Sequence, residues 1–178
     1  MKIIAVKGSG RGNAVSSMLI DEFIRGAESA GHEVKVYDVG GMKLFGCHGC
    51  EACRKTGCFC VRDDELKPYW EDLKAAGALV LGAPMYMGQP DGQMISFMNR
   101  HYCLKNADRS LKLTDSKKLV MIYSQGAPQD YPKYIPAQEN YVNVFTGNGF
   151  VSEAVICVGG DSDLDALKNK AYDIGKSI

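Results

Sequence analysis

The stretch "KIIAVKGSGRGNAVSS", residues 2–17, decides the fold. Residues 2–6 form an apolar run that ends near glycine, which reads as a short buried strand. Residues 14–30 carry Val15, Met18, Leu19, Phe23 and Ala27 on one helical face. Between them lies a turn rich in glycine and serine. A strand, a glycine-rich turn and a helix make the opening unit of a sheet covered by helices.

The rest of the chain repeats that alternation. "HEVKVYD" (32–38) alternates as a strand does, and residues 63–77 open with acids and read as a helix with an early proline. "ALVLGAP" (78–84) is a third strand. Residues 91–104 predict a helix with Met94, Phe97 and Met98 at apolar spacing. Strands follow at 118–126 and 151–160, with a helix near 135–147 between them. "DSDLDALKNKAYDIGKSI" closes the chain as a helix, with Asp161 or Ser162 as its cap. Five strands, each followed by a helix, imply a parallel sheet with right-handed crossovers and both faces covered. Residues 1–178 are read as one domain with a cysteine-rich loop at 46–60.

Composition narrows the partners. Formal net charge is zero, so no basic patch for nucleic acid is indicated. No apolar run is long enough to span a bilayer, so no membrane association is expected. The N-terminus has no signal-peptide shape, which predicts a cytoplasmic protein with reduced thiols.

Ligands on such sheets bind beyond the carboxyl ends of the strands. The first loop offers Ser9, Arg11, Asn13, Ser16 and Ser17 beside a helix start. Amides, hydroxyls and a guanidinium together suit a phosphate. A P-loop would need lysine before the last Ser or Thr, and none is present. A dinucleotide fingerprint counted from Gly8 meets Asn13 where glycine is required, although Asp38 would fit its acidic position. A mononucleotide fits better, because the loop "APMYMGQPDGQM" is also built for a ligand. Pro84, Gly88 and Pro90 fix its bend. Met85, Tyr86 and Met87 would project near the strand ends and flank a flat ring, with Gln89 beside them. Ser124 to Gly126 would meet that ring from the other side.

These residues resemble the flavodoxin-like NAD(P)H-dependent FMN reductases, in particular their iron–sulfur flavoprotein branch. The family's Gly-Ser-Pro-Arg opening is matched by Gly8-Ser9-Gly10-Arg11, and its Asn-Thr pair falls on Val15-Ser16. Its Pro-x-Tyr-x-Gly loop is matched by Pro84-Met85-Tyr86-Met87-Gly88. Lys55–Gly57 and Asp63–Asp64, which flank the cysteines, match as well. The resemblance implies a three-layer α/β/α sandwich with a five-stranded sheet of order 2-1-3-4-5. It implies bound FMN, NAD(P)H as transient donor, electron exchange with a ferredoxin-like partner, and a homodimer or homotetramer.

Five of the seven cysteines fall in "GCHGCEACRKTGCFC", residues 46–60. Cys47, Cys50 and Cys53 are spaced as in ferredoxin runs that hold a 4Fe–4S cluster. The branch's fourth cysteine would fall on Phe59, and here Cys58 and Cys60 stand on either side of it. Four readings compete: a 4Fe–4S cluster completed by Cys58 or Cys60, free structural thiols, zinc with His48, and a thiol–disulfide relay. Cys103 and Cys157 read as small apolar core residues. His32 reads as surface, His101 as a helix-end dipole partner, Trp70 as core or interface, and Asp63 and Asp64 as helix caps. The function expected is an FMN-dependent oxidoreductase passing electrons from NAD(P)H to an acceptor. The rival readings are a non-catalytic flavodoxin-like carrier or redox sensor without a cluster, and a zinc-stabilised interaction module.

Overall fold

The computed structural model describes residues 1–178. The long strands are β1 (Lys2–Lys7), β2 (Glu33–Asp38), β3 (Ala78–Tyr86), β5 (Lys117–Ser124) and β6 (Phe150–Val158), with a two-residue β4 (Gln89–Pro90) between the third and fourth. The sheet order is β2-β1-β3-β5-β6, every pairing along it being parallel. Counted over the five long strands, this is the expected 2-1-3-4-5. The sixth strand, β4, is the addition: it folds back antiparallel on the end of β3, pairing Met85 with Pro90 and Tyr86 with Gln89.

Burial follows position in the sheet. Central β3 is buried on both faces from Ala78 to Met85, as a continuous apolar run demands. Edge strand β2 buries only Tyr37 fully. Alternate residues feed two cores. Ile4, Val6, Leu79, Leu81, Leu119 and Met121 face one side. Tyr69, Trp70 and Leu73 from α3 (Tyr69–Ala75) cover it, with Met94 and Phe97 from α4 (Gly92–Asn99) and Phe145 from α5 (Ile135–Thr146). Ile3, Ala5, Val80, Val120 and Ile122 face the other. There α1 (Val15–Ser29) supplies Leu19, Ile20, Phe23 and Ala27, and α6 (Leu164–Ser177) supplies Ala171.

Several boundaries move for local reasons. The helix expected over 63–77 begins only at Tyr69, with Pro68 as its N-cap, because residues 64–67 form a separate turn closed by Lys67 N–H to the Asp64 carbonyl. The helix expected over 91–104 becomes α4 and then a 3₁₀ turn, Arg100–Leu104. The closing helix is capped by Asp163, whose Oδ1 accepts from the amides of Asp165 and Ala166 at 3.1 Å. Asp161 and Ser162, the expected caps, serve the preceding turn instead: Asp161 accepts from the Gln129 amide and Ser162 from the Gly159 amide. A short helix, α2 (Ala52–Thr56), lies within the cysteine loop. No helix is long and apolar enough to cross a membrane.

Candidate functional site

Parallel order brings the loops after β1, β3 and β5 to one end of the sheet, and the cysteine loop leaves β2 at the same end. The first loop stays tied to the sheet through Gly8 N–H to the Gly82 carbonyl at 2.8 Å. Lys7, Ser9, Gly10, Arg11, Gly12, Ser17 and Asp38 line a cavity of about 190 Å³ there. Ser9 is buried, and its Oγ accepts from the Arg11 amide at 3.2 Å. No side chain caps α1, whose N-cap is Ala14, so its first amides stay free to bind a ligand. The Ser16 hydroxyl is buried with no hydrogen-bond partner. A free helix start beside an orphaned hydroxyl and a guanidinium fits a phosphate. Asn13 lies exposed on the loop, and Val15 packs against the core.

The loop after β3 is a hairpin. Met87 and Gly88 have φ of 54° and 87°, so both stand in the left-handed region that a two-residue primed turn requires. The side chains divide accordingly. Met85 is buried in the core, not projected toward a ligand, while Tyr86 is half exposed and Met87 is 95% exposed at the tip. Ser124 is partly buried and Gly126 exposed at the end of β5. The Tyr134 ring lies beside Gly88, where a Cβ would come within 3.7 Å of it.

Asp91 escaped the sequence reading. It is the N-cap of α4, accepting from the Met94 amide at 3.3 Å. Its other oxygen is buried without a partner and lies against Gly8, where a Cβ would approach to 2.8 Å. Burial pushes its carboxyl up to about 6. Asp91 therefore bridges the first loop and the hairpin. An Asp between proline and glycine just before an apolar-periodic run was the available signal.

The cysteine loop is shaped by one aromatic anchor. Phe59 stacks on Trp70, with ring centroids 5.9 Å apart, and so sends its two neighbours to opposite sides. Cys58 is exposed, its sulfur 2.8 Å from the Thr56 hydroxyl. Cys60 turns inward and accepts from Arg100 Nε at 3.1 Å. Cys47, Cys50, Cys53 and Cys60 line one cavity of about 80 Å³, and Cys58 lies outside it. The loop is held by cations. Lys112 Nζ donates to the carbonyls of Cys53 and Cys58 at 2.7 and 2.5 Å. Arg100, fully buried, donates to Asp64 at 2.5 Å and to the Phe45 carbonyl at 3.0 Å. His48 and Glu51 line the cavity too, but a donor set dominated by thiols fits an iron–sulfur or zinc centre better than a hard cation. As placed, no three His, Cys, Asp or Glu side chains converge on a metal position, so loading must draw the loop inward.

Other expectations sort by burial. Trp70 is core. His101 does meet the helix end, its Nδ1 lying 3.2 Å from the Phe97 carbonyl, but as a buried ring and not a surface cation. It is fully buried, its Nε2 lies 2.7 Å from the Tyr69 hydroxyl, and burial lowers it to about 4. Asp64 ion-pairs with Arg100 and its Oδ1 accepts from the Leu66 amide at 3.2 Å, so it caps the turn before α3 and not the helix itself, while Asp63 pairs with Lys67 at the surface. His32 is half-buried and meets the N-terminal amine. All seven cysteines are free thiols. Cys103 is buried, as expected, yet it also faces the thiol cavity.

With this geometry in view, likeness to known proteins is informative. A family model described as NADPH-dependent FMN reductase matches residues 1–130. A protein of Methanosarcina thermophila named "Iron-sulfur flavoprotein" is 30% identical over 112 residues, which is 63% of this chain. The chain spans 58% of that relative's length. Among solved structures, an NAD(P)H:quinone oxidoreductase from Methanothermobacter marburgensis superposes with a TM-score of 0.77 at 16% identity, covering 99% of this chain and 96% of its own. An FMN-dependent NADH-azoreductase from Bacillus anthracis, in complex with FMN, superposes with a TM-score of 0.71 at 10% identity, covering 99% and 97%. At such identities the structural likeness speaks for a shared flavodoxin-like fold. The family match, running from the first strand through the first loop, the thiol loop and the hairpin, goes further: the chain belongs to the NADPH-dependent FMN reductase family.

Proposed function

We propose that this chain binds FMN at the loops after β1, β3 and β5 and carries electrons from NAD(P)H to an acceptor. The observation that carries the reading is the cavity under α1: free helix amides, Ser9, Arg11 and Ser17 on its walls, and an unpartnered Ser16 hydroxyl beside it. Those groups would hold the phosphate by charge-assisted hydrogen bonds. Tyr86 and Met87 on the hairpin, with Gln89, Ser124 and Gly126, would border the ring. When bound, FMN supplies hydride acceptance and one- or two-electron release, and no protein acid or base is required of the chain.

The same reading gives the thiol cavity a 4Fe–4S cluster, with Cys47, Cys50, Cys53 and Cys60 as its ligands. It is supported by those four residues lining one cavity and by the outward turn of Cys58. A cluster would supply single-electron transfer to or from a ferredoxin-like partner. Assembly as a homodimer or homotetramer belongs to the same proposal, supported by the exposed apolar Val144 on α5 and Val151 and Val155 on β6.

The test is the flavin, iron and sulfide content of anaerobically purified protein, with steady-state oxidation of NADH and NADPH. Bound FMN with turnover is the expected result. FMN without turnover would instead make the chain a carrier or redox sensor, and a flavin-free, zinc-containing protein would overturn the reading.

A further inference from the structure

The cavity that gathers the loop thiols has a fifth cysteine on its wall. Cys103 comes from the 3₁₀ turn after α4, far along the chain from the loop, and it is 2% exposed. It lines the cavity together with Cys47, Cys50, Cys53 and Cys60. Cys47, Cys50 and Cys53 enter from the loop side, on α2 and the turn before it.

A thiolate-bound centre needs its fourth ligand opposite the first three. Cys58 is exposed and lies outside the cavity, its sulfur turned to Thr56. Cys60 can supply that ligand, but it also holds the Arg100 Nε–H at 3.1 Å. Cys103 reaches the same cavity from a rigid element and has no such partner among the side chains. The loop side can adapt, because Gly49 and Glu51 turn the backbone through the left-handed region, at φ of 65° and 56°.

We propose that Cys103 is a reserve fourth ligand, standing in for Cys60, of an iron–sulfur centre whose other three ligands are Cys47, Cys50 and Cys53. This rests on the cluster reading above. Cys60 is the ordinary ligand, and Cys103 closes the set when Cys60 is lost. The chain thus tolerates the displaced spacing around Phe59.

The test compares anaerobically reconstituted wild type with C50A, C58A, C60A, C103A and C60A/C103A. Iron and sulfide per chain are measured, and the reduced proteins are examined by electron paramagnetic resonance. C58A should match wild type. C60A should keep at least about half of the iron, with a changed spectrum that reports the new ligand. C103A should match wild type, and the double variant should fall to the level of C50A. If the double variant does not fold, C60A decides alone. C60A as iron-poor as C50A would overturn the proposal and leave the cluster reading standing. So would iron loss in C58A, or a double variant as loaded as wild type. Wild type that takes up no iron would overturn the cluster reading itself, and the proposal with it.

Discussion

Arg100 and Asp64 form a buried ion pair at 2.5 Å, their side chains 0% and 4% exposed. The pair joins the end of α4 to the segment that follows the thiol loop, and Arg100 also donates to Cys60 and the Phe45 carbonyl. Removing Arg100 leaves the buried Asp64 charge with only the more distant Arg62 Nε, at 3.7 Å, as its cation. Arg100→Met should therefore cost about 3–5 kcal/mol, whereas Lys67→Met, which breaks the exposed pair with Asp63, should cost far less. Urea denaturation of both variants checks the contrast. Equal losses would show that the Arg100 pair is solvated in solution.

Asp91 makes a pH-dependent contribution of unusual sign for a carboxylate. Its folded value is raised to about 6 by burial, so the folded state holds the proton more tightly than the unfolded chain does. That stabilisation is fully present below about 4 and is lost as pH rises through about 6. The swing is about 2–3 kcal/mol at most. Asp91→Asn keeps an N-cap and removes the charge. In the flavin-free chain it should match wild type near pH 4 and exceed it at pH 7, as read by denaturant midpoints at both values.

His101 works the other way. Its folded value is lowered to about 4, first by burial, so stability is present above about 6.5 and is lost as pH falls through about 4. Between pH 4 and 6 the slopes of Asp91 and His101 oppose each other. Asp91→Asn should thus uncover a stability that falls on acidification in this window. His101→Gln should uncover one that rises. Two parallel profiles would mean that one of the two groups is hydrated in solution.

Much of this was legible in residue order. Alternation fixed five strands, and the glycine–serine turn with Pro84–Gly88 marked two of the three ligand loops. What was hidden depends on contacts between distant segments. Cys103 looked like core because nothing local says that its turn backs the cysteine loop. Which of Cys58 and Cys60 faces the other loop thiols was open because Phe59 stacks on Trp70 between them, a contact that residue spacing does not encode. His101 looked like a helix-end cation until Tyr69, Phe97 and Phe145 enclosed it. Met85 followed a proline toward the strand end, yet the hairpin turned it inward.

The hairpin tip separates fold from ligand. Met87 is 95% exposed at a φ of 54°, a conformation that asparagine accepts more readily than methionine. Met87→Asn should leave the flavin-free chain unchanged or raise its stability by up to about 1 kcal/mol. Gly88→Val, at a φ of 87°, should lower it by about 1–2 kcal/mol. If Met87 also covers the flavin, the Asn variant will bind FMN more weakly while being the more stable protein. Thermal unfolding and fluorescence titration with FMN read the two effects separately.

Ser16 should give the sharpest division between stability and binding. Its hydroxyl is buried without a partner, a state that costs about 1–3 kcal/mol in desolvation. Ser16→Ala relieves that cost, so the flavin-free chain should be no less stable and should gain up to that amount. Bound phosphate would give the hydroxyl an anionic acceptor, a bond worth about 1.5–3 kcal/mol. FMN affinity of Ser16→Ala should then fall about 10- to 100-fold, and riboflavin, which lacks the phosphate, should bind both proteins alike. Opposite signs for stability and FMN binding would place the phosphate at the start of α1. Equal weakening of FMN and riboflavin would place Ser16 beside the ring instead, and a loss of stability would mean that its hydroxyl finds a partner in the free chain.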